Sequence, residues 1–265
     1  SKDALNVLPL LPDMFDEPFA DSSQIPMYLV SKIAKSKVTV CLSGDGGDEL
    51  FGGYNRYLVA SKLWNKISKI PKPGKSVLAY LIKSLKPTVW DKISDLLYKN
   101  KYSNLGYKLH KGADSLQSKN IDDLYFNLIS TIKNPTEWLI NSEEHSNTNY
   151  NFDPKISGIE RMMIKDLVGY LPTDILTKVD RTSMAVSLEA RTPFLDKEIV
   201  KFALTLPEEY KIKAEVGKSV LRDVLYKYVP KDMIERPKMG FGVPLAEWMR
   251  GELRVWCEGL LNEKK

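Results

Sequence analysis

The sequence has few cysteines, few histidines and no long apolar run. Its 265 residues contain only Cys41 and Cys257, so a disulfide framework is not expected and a reducing compartment fits. The two histidines, His110 and His145, lack a second ligand at metal spacing, and we interpret them as structural or exposed. No apolar stretch approaches bilayer length, and the polar, acidic start differs from a signal peptide. We therefore expect a cytoplasmic protein with no membrane partner.

Three familiar loops for phosphate or calcium are also missing. A Walker loop ends in Gly-Lys-Ser or Gly-Lys-Thr, whereas the glycine-rich stretch of this chain ends in Gly53 and Tyr54. A dinucleotide fingerprint that starts at Gly44 requires glycine at position 49, where this chain has Glu49. The spacing of acidic residues in an EF-hand is absent as well. Any nucleotide or metal site must therefore be built differently.

The most informative stretch is a short apolar run followed by an acidic, glycine-rich loop. Residues 38–42 are apolar and rich in β-branched side chains, which predicts a parallel strand covered on both faces. The loop after it combines a hydroxyl, glycines and carboxylates: Ser43, Gly44, Asp45, Gly46, Gly47, Asp48 and Glu49. Glycines let a backbone approach a ligand closely. Crowded carboxylates repel one another unless a cation or proton intervenes.

A loop of this kind at the carboxyl end of a strand predicts a site for Mg²⁺ and phosphates, because open α/β sheets bind ligands at that edge. The alternative is a Gly/Asp-rich turn between strand and helix that binds nothing. The loop by itself leaves both interpretations open.

Basic charge is concentrated in one part of the chain. Residues 62–111 contain twelve lysines against Asp91 and Asp95, a balance of +10 in a chain whose net charge is +5. Interleaved aromatic residues in this stretch could indicate nucleic-acid binding. The helical spacing of the lysines instead favours a helical insertion with lysines facing water and aromatics facing the core. We expect no nucleic-acid partner.

The remainder of the sequence predicts mainly helices. Apolar residues recur at helical spacing from Ile159 to Leu171, and Pro172 is expected to end that run. Asp196 is placed to cap the next helix. The predicted fold class is α/β, with a small remnant of a parallel sheet that carries the glycine loop and a predominantly helical surround.

Further segments change the balance between the two interpretations of the loop. They read Asp16-Glu-Pro-Phe-Ala-Asp-Ser-Ser23, Leu171-Pro-Thr-Asp-Ile-Leu-Thr-Lys-Val-Asp-Arg-Thr-Ser-Met-Ala-Val-Ser-Leu-Glu-Ala-Arg-Thr-Pro-Phe-Leu-Asp196 and Glu235-Arg-Pro-Lys-Met-Gly-Phe-Gly-Val-Pro-Leu-Ala-Glu-Trp248. Together with the loop, and in this order, they resemble the synthetase domain of glutamine-dependent asparagine synthetases, which belong to the pyrophosphatase-loop ATPases. The resemblance covers nearly the whole chain except residues 61–150.

The resemblance implies a Rossmann-like adenine-nucleotide hydrolase core, here truncated, that uses ATP and Mg²⁺. Members of the family activate a carboxylate as an acyl-adenylate, and ammonia from an N-terminal glutaminase domain then forms the amide. The leading interpretation is asparagine synthesis from aspartate and glutamine-derived ammonia. The alternatives are amidation of another carboxylate, such as a sugar uronic acid of a surface polysaccharide, and a degenerate homologue without activity. Related enzymes often pair, so a homodimer is a candidate assembly.

The same resemblance assigns roles to residues. Asp48 is the expected metal and pyrophosphate ligand, and Asp45 stands where well-studied members carry Glu as a general base for the attacking nitrogen. Lys238 is expected to contact the phosphates and steady the charge that develops there. Arg181 is expected to act in catalysis through a contact to the substrate or a phosphate. The other expected contacts to ATP or substrate are Ser43, Gly44, Gly46, Gly47, Glu49, Lys178 and Asp180, with Glu189 and Arg191 as a supporting ion pair.

One part of the family pattern is missing. The Ser-Gly-Gly-x-Asp-Ser pyrophosphate loop does not occur in these residues, and the chain opens at Ser1 without the glutaminase nucleophile. We therefore expect a fragment of a synthetase domain over residues 1–265 that is inactive alone and lacks its glutaminase domain. Within it we expect an α/β part with the glycine loop (1–60), a lysine-rich helical insertion (61–150) and a helical part (151–265). Asp48 and Lys238 are predicted to converge on one pocket.

Overall fold

The structure is a computed structural model that describes residues 2–98, 105–130, 132, 151–235 and 242–262. The chain divides into two compact units. Unit 1 comprises Ser1–Phe51, Asp166–Leu206 and Ser219–Lys265, and unit 2 comprises Gly52–Lys165 and Pro207–Lys218.

The described residues of unit 1 form two strands and a set of mostly short helices. The strands are β1 (Val40–Leu42) and β2 (Glu189–Arg191). The helices are α1 (Lys2–Leu5), α2 (Leu11–Met14), α3 (Gln24–Lys35), α4 (Gly47–Phe51), α11 (Thr177–Met184), α12 (Lys197–Thr205), α14 (Ser219–Leu225), α15 (Lys231–Ile234), α16 (Leu245–Arg250) and α17 (Arg254–Leu260). Two 3₁₀ helices, Leu8–Leu10 and Pro193–Leu195, and a π-helix, Leu171–Leu176, complete the unit.

Unit 2 is built from longer helices and a small hairpin. Its helices are α5 (Asn55–Ile67), α6 (Lys72–Lys83), α7 (Pro87–Tyr98), α8 (Leu105–Ser115), α9 (Ile121–Ile129), α10 (Gly158–Val168, whose last residues belong to unit 1) and α13 (Glu208–Lys211). The hairpin pairs β3 (Ile212–Lys213) with β4 (Val216–Gly217) in antiparallel register. The described residues thus form a mixed α/β fold that is mostly helical, as the sequence predicted.

The two strands of unit 1 pair in parallel, which confirms the predicted parallel pairing. Val40 lies opposite Glu189, Cys41 opposite Ala190 and Leu42 opposite Arg191. The backbone ladder continues beyond the strand, because the Ser43 N–H donates to the Arg191 carbonyl at 2.7 Å. The end of β1 is therefore fixed against the end of β2.

The prediction that residues 38–42 are covered on both faces is wrong for this structure. Val38 is 45% exposed, Val40 40% and Leu42 74%. The strand itself is shorter than expected and begins at Val40. The physical reason is that the described sheet containing β1 has two strands, and no described element covers the face that carries these side chains.

Two separate apolar clusters hold unit 1 together. One joins the N-terminal helices to α16 through Val7, Ile25 and Trp248. The other packs Leu50 and Phe51 of α4 against Ala203 of α12. Because α4 directly follows the acidic loop, this second cluster fixes where that loop lies.

Two helix boundaries were predicted from local sequence signals, and the structure confirms one of them. The side chain of Asp196 accepts a hydrogen bond from the Glu198 N–H at 2.9 Å, which confirms the predicted cap of α12. Pro172 does not end the preceding helical run, contrary to the prediction. It lies at the start of the π-helix, where its missing N–H is not required, and the backbone continues through it into α11.

Across the residues that the structure describes, no helix is both long enough and apolar enough to cross a bilayer.

Candidate functional site

The acidic loop lies at the carboxyl end of β1 and is ordered by hydrogen bonds within itself. The Ser43 hydroxyl donates to a carboxylate oxygen of Asp45. The Gly47 N–H donates to the Gly44 carbonyl at 3.2 Å, which turns the chain into α4. Asp48 and Glu49 occupy the first turn of that helix. The carboxylates predicted from sequence therefore lie together at one end of the parallel pair.

Gly46 is the residue of this loop that must be glycine. Its φ of +86° lies in the left-handed region, which side chains with a Cβ rarely adopt. A Cβ built on Gly46 would also overlap the side chain of Leu195, in the 3₁₀ helix that follows β2. The loops after the two strands therefore pack directly on each other, as expected where a ligand site forms at the carboxyl edge of parallel strands.

The interior of α4 explains why the loop stays in place. Glu49 is 2% exposed, as are Leu50 and Phe51, whereas Asp48 is only partly buried. The Phe51 ring meets Phe194 edge to face at a centroid distance of 5.9 Å. This packing thus holds α4 in place, and with it Asp48, whose carboxylate oxygen Oδ1 is itself buried.

Glu189 and Arg191 lie on β2, on the same side of the sheet as Val40 and Leu42. Residues opposite one another in a ladder share a face. The Arg191 Nε donates to Glu189 Oε1 at 2.7 Å, and both side chains are more than half exposed. In this geometry they form an ion pair at the open face beside the acidic loop, where an exposed pair adds little to stability.

The remaining predicted residues lie on α11. Lys178 is 6% exposed and its ammonium donates to a carboxylate oxygen of Asp21. A second carboxylate oxygen, Asp174 Oδ1 of the π-helix, lies 3.7 Å from the same ammonium. Two carboxylates thus share one buried lysine.

This shared lysine separates the pKa values of the two aspartates. Burial acts to raise the pKa of Asp21, but hydrogen bonds from Lys178 and Ser23 outweigh it and lower the pKa to about 2. Burial raises the pKa of Asp174, and the neighbouring charge of Asp21 raises it further. Asp21 is therefore the ion-pair partner of Lys178, and Asp174 is the weaker acid beside that pair.

Arg181 lies one turn further along α11 and contacts the same N-terminal segment. Its guanidinium donates to a carboxylate oxygen of Asp16, and both groups are more exposed than the Lys178 pair. Asp180 is exposed on the same helix. Lys178 and Arg181 thus both face carboxylates of residues 16–21, and their predicted contacts to ATP or substrate stay predictions.

Sequence reasoning did not assign roles to the aspartates that surround Lys178. One signal was available, because Asp174 precedes Lys178 by four residues, a spacing that pairs side chains on a helix. Asp21, the other partner of Lys178, lies 157 positions away in the sequence, and no local pattern indicates that contact.

The carboxylates of the loop suit a metal ion that takes most of its coordinating atoms from a bound phosphate and from water. Among the described residues, no group of three or more Asp, Glu, His or Cys side chains is arranged to hold a metal ion by itself. Mg²⁺ often uses only one or two protein carboxylates and takes its other ligands from phosphate and water. Asp48, with Asp45 nearby in sequence, fits that mode and not an all-protein cage.

An open groove of about 510 Å³ lies at the other end of β1, lined by residues 35–40. It is at the amino end of the strand, away from the carboxylates, so we do not assign the site to it. Lys238, the cation predicted to converge with Asp48, lies outside the described residues, and that convergence stays a prediction.

The fold and the site together define an α/β protein with an acidic, glycine-rich loop at the carboxyl end of paired parallel strands. Residues 1–265 match the family model described as asparagine synthase, and the chain therefore belongs to the asparagine synthase family.

The sequence is also similar to individual proteins that are named as asparagine synthetases. The chain is 33% identical over 267 residues to asparagine synthetase [glutamine-hydrolyzing] 1 of Bacillus subtilis, covering 98% of this chain and 39% of that protein. It is 34% identical over 251 residues to a putative asparagine synthetase [glutamine-hydrolyzing] of Mycobacterium tuberculosis, covering 94% of this chain and 37% of that protein. The human asparagine synthetase [glutamine-hydrolyzing] matches at 39% identity over 71 residues, 26% of this chain and 12% of that protein.

The chain spans about 39% of the length of the Bacillus relative. No solved structure matches it.

Proposed function

We propose that this chain is part of an enzyme that forms an amide from a carboxylate, with ATP as the activating substrate. The proposal rests chiefly on one observation: in a chain of the asparagine synthase family, the loop bearing Asp45 and Asp48 lies where two parallel strands end. We further propose aspartate as the acceptor and glutamine-derived ammonia as the nitrogen donor, because the relatives carry the name of that reaction. We also propose that further parallel strands extend the β1–β2 pair into a Rossmann-like core.

In the proposed reaction the loop binds and orients the phosphates. The exposed backbone at Gly44 is suited to phosphate oxygens because glycine lets them approach closely. Asp48 would hold Mg²⁺, which when bound supplies positive charge to the phosphate oxygens. Lys238 supplies a further cation in the proposal, and a compact ammonium suits a phosphate whose charge changes during transfer.

Asp45 is the proposed general base for the attacking nitrogen. Its carboxylate accepts a hydrogen bond from Ser43, which holds it in one orientation at the strand end. Proton removal by a positioned carboxylate contributes about 10²- to 10⁴-fold to a rate. The Asp45 side chain is one methylene shorter than Glu, so the attacking nitrogen must approach the loop more closely.

The 265-residue chain is proposed to be inactive without the rest of the enzyme. ATP–pyrophosphate exchange with aspartate and magnesium checks this, with no exchange expected from the isolated chain. A clear exchange rate would show that these residues contain a complete adenylation site.

The reaction itself is tested in the complete polypeptide that contains this chain. Aspartate-dependent release of pyrophosphate is expected, with ammonia or glutamine giving asparagine and AMP. Asp48→Asn should lower kcat by about a hundredfold or more, because a charge that holds the metal and phosphates is lost. Asp223→Asn, an exposed carboxylate elsewhere in unit 1, is the matched control and should leave the rate unchanged.

Two conservative substitutions of Asp45 distinguish its role from that of Asp48. Asp45→Asn should abolish transfer to nitrogen while the enzyme still releases pyrophosphate, since the amide cannot accept a proton. Asp45→Glu should retain transfer because the carboxylate is kept. Equal losses in both variants would show that Asp45 is needed for shape and not as a base.

A further inference from the structure

Asp174 of the π-helix is a carboxylate that its surroundings disfavour. Its Oδ1 atom is buried and accepts no hydrogen bond from the residues that the structure describes. The ammonium of Lys178 lies 3.7 Å from that oxygen, beyond hydrogen-bonding distance, and donates instead to Asp21. Asp21 therefore compensates the lysine, and the negative charge of Asp174 is in excess within this group of three side chains.

The carboxylate of Asp174 is also accessible to a ligand. Its side chain keeps 30% exposure, although the Oδ1 atom itself is buried. A buried carboxylate oxygen without a hydrogen bond costs free energy, so Asp174 lowers the stability of the chain where it stands. Groups that are costly to the fold and open to solvent are typical of binding sites, where a ligand supplies the missing contact.

Two helices that run in the same direction carry this group. At their N-terminal ends, Lys178 in the first turn of α11 contacts Asp21, which lies just before α3. At their C-terminal ends, Lys35 is the last residue of α3, and its ammonium donates to the Ser187 carbonyl just after α11, at 2.7 Å. The N-terminal ends of α3 and α11 therefore lie together, and so do their C-terminal ends.

The topology places the N-terminal ends of these helices towards the carboxyl edge of the sheet. Each helix leads into one of the paired strands through four residues, 36–39 before β1 and 185–188 before β2. With connections this short, a helix of an α/β fold turns back along the strand that follows it. The eight residues of α11 span about 12 Å and the three of β2 about 10 Å, so the first turn of α11 lies level with the end of β2. The acidic loop follows β1 at that same edge.

The charge of Asp174 suits a monovalent cation better than a metal ion. Lys178 holds a positive charge 3.7 Å away, which repels a divalent ion more strongly than an ammonium group. In the described part of the chain, no three Asp, Glu, His or Cys side chains are arranged to hold a metal ion. An ammonium group donates N–H to a carboxylate, and such a charge-assisted hydrogen bond is about twice as strong as a neutral one.

We propose that Asp174 is a specificity-determining residue that binds the α-ammonium group of an amino-acid acceptor. This inference rests on the proposed function, in which ATP is anionic, ammonia attacks as a neutral molecule and glutamine is assigned to a domain outside this chain. The acceptor is therefore the reactant that brings a cationic group to this site. A sugar uronic acid has no ammonium group, so a carboxylate at this position favours aspartate over that alternative.

Two acceptors that differ only in the ammonium group test this role in the complete polypeptide that contains the chain. Aspartate carries the group, and succinate is the same dicarboxylate without it. Measured as pyrophosphate release, kcat/KM of the wild type should favour aspartate by about a hundredfold or more, because succinate leaves the carboxylate of Asp174 without its partner. Asp174→Asn should reduce that preference by about 10- to 100-fold, through a higher KM for aspartate.

Two further variants separate the charge of Asp174 from its place in the fold. Asp174→Glu keeps the carboxylate and should retain most of the preference for aspartate. Asp223→Asn, exposed on α14, is the matched control and should leave the preference unchanged. The ratio between the two acceptors does not depend on the amount of folded enzyme, so a change in stability alone does not alter it.

The outcomes distinguish this inference from the proposed function. A wild-type enzyme that releases pyrophosphate equally with aspartate and succinate would overturn the role of Asp174, and that measurement needs no variant. An unchanged preference in Asp174→Asn would also overturn it, while aspartate-dependent release would leave the proposed function standing. Release with uronic-acid sugars but not with aspartate, or with none of these acceptors, would overturn both.

Discussion

The shared lysine of unit 1 leads to a prediction about two neighbouring aspartates. Asp21 and Asp174 both approach Lys178, but only Asp21 accepts its hydrogen bond. Asp21→Asn removes the charge that compensates the buried ammonium, and it keeps an oxygen that can accept from the Ser23 N–H. Asp174→Asn removes a charge that its surroundings disfavour. We therefore expect opposite consequences from two substitutions that are chemically identical.

The magnitude follows from the pKa of Asp21. A fall from its ordinary value of 3.8 to about 2 corresponds to about 2 to 3 kcal/mol at about 1.4 kcal/mol per pKa unit. The Asp21 side chain keeps 22% exposure, so solvent screening reduces this to between about 1 and 2 kcal/mol. Asp21→Asn should lower the free energy of unfolding by that amount at neutral pH. Asp174→Asn should leave it unchanged or raise it, because the pKa of Asp174 is raised by burial and by Asp21.

The pH dependence gives an independent check. A carboxyl group whose pKa is lower in the folded chain stabilises the fold above its unfolded pKa, and that contribution disappears as pH falls through the folded pKa. The difference between wild type and Asp21→Asn should therefore be full above about pH 5 and shrink towards about pH 2. The contribution of Asp174 to stability has the opposite sign. Its pKa is raised in the folded chain, so the ionised form of Asp174 destabilises the fold.

Urea unfolding followed by circular dichroism between acidic and neutral pH measures both variants. Hydrogen exchange of α3 and α11 amides locates the effect, since these helices carry the surroundings of Asp21 and Lys178. The reasoning is refuted if Asp174→Asn is as destabilising as Asp21→Asn. It is also refuted if the cost of Asp21→Asn stays the same across the acid range.

Two further predictions concern the loop and the segment before residue 236. Gly46→Ala should lower the free energy of unfolding by about 1 to 3 kcal/mol, because its φ is positive and its Cβ would meet Leu195. Gly44→Ala, with nothing within 4 Å of its Cβ, should stay within about 0.5 kcal/mol, and urea unfolding of both compares them. Tyr226→Phe should raise the pKa of Glu235 towards its ordinary value, since the hydrogen bond from Tyr226 is the main cause that lowers it; an NMR titration in which that pKa does not move would contradict this.

The loop and its strand were readable from sequence because their signals are local. Residues 38–49 combine an apolar run with glycines and carboxylates, and the structure places them on a strand, a turn and α4 as that pattern indicates. The cap at Asp196 was predictable for the same reason. The burial of β1 was not, because it depends on what covers the sheet and not on the strand itself.

The contact of Lys178 with Asp21 and the orientation of α6 were beyond sequence reasoning. Lysine is rarely buried, so the 6% exposure of Lys178 follows only from two aspartates that the fold brings to it. In residues 62–111, several lysines face water as expected, but Tyr80 and Tyr107 are exposed instead of facing the core. Periodicity reveals that a helix has two faces, but it does not determine which face meets the body.

The sheet alone cannot hold the acidic loop in position. A pair of strands with three residues each is too small to be stable alone, and the face of β1 that carries Val40 and Leu42 is exposed. Beyond the hydrogen bond from Ser43 to Arg191, the loop is fixed by the packing of α4 on α12 and by the contact of Gly46 with the turn after β2. Substitutions in that packing, such as Phe51→Ala, should therefore disturb the positions of Asp45 and Asp48 more than substitutions on the exposed face of β1. The packing of the helices, more than the pairing of the strands, therefore determines the geometry of the proposed phosphate site.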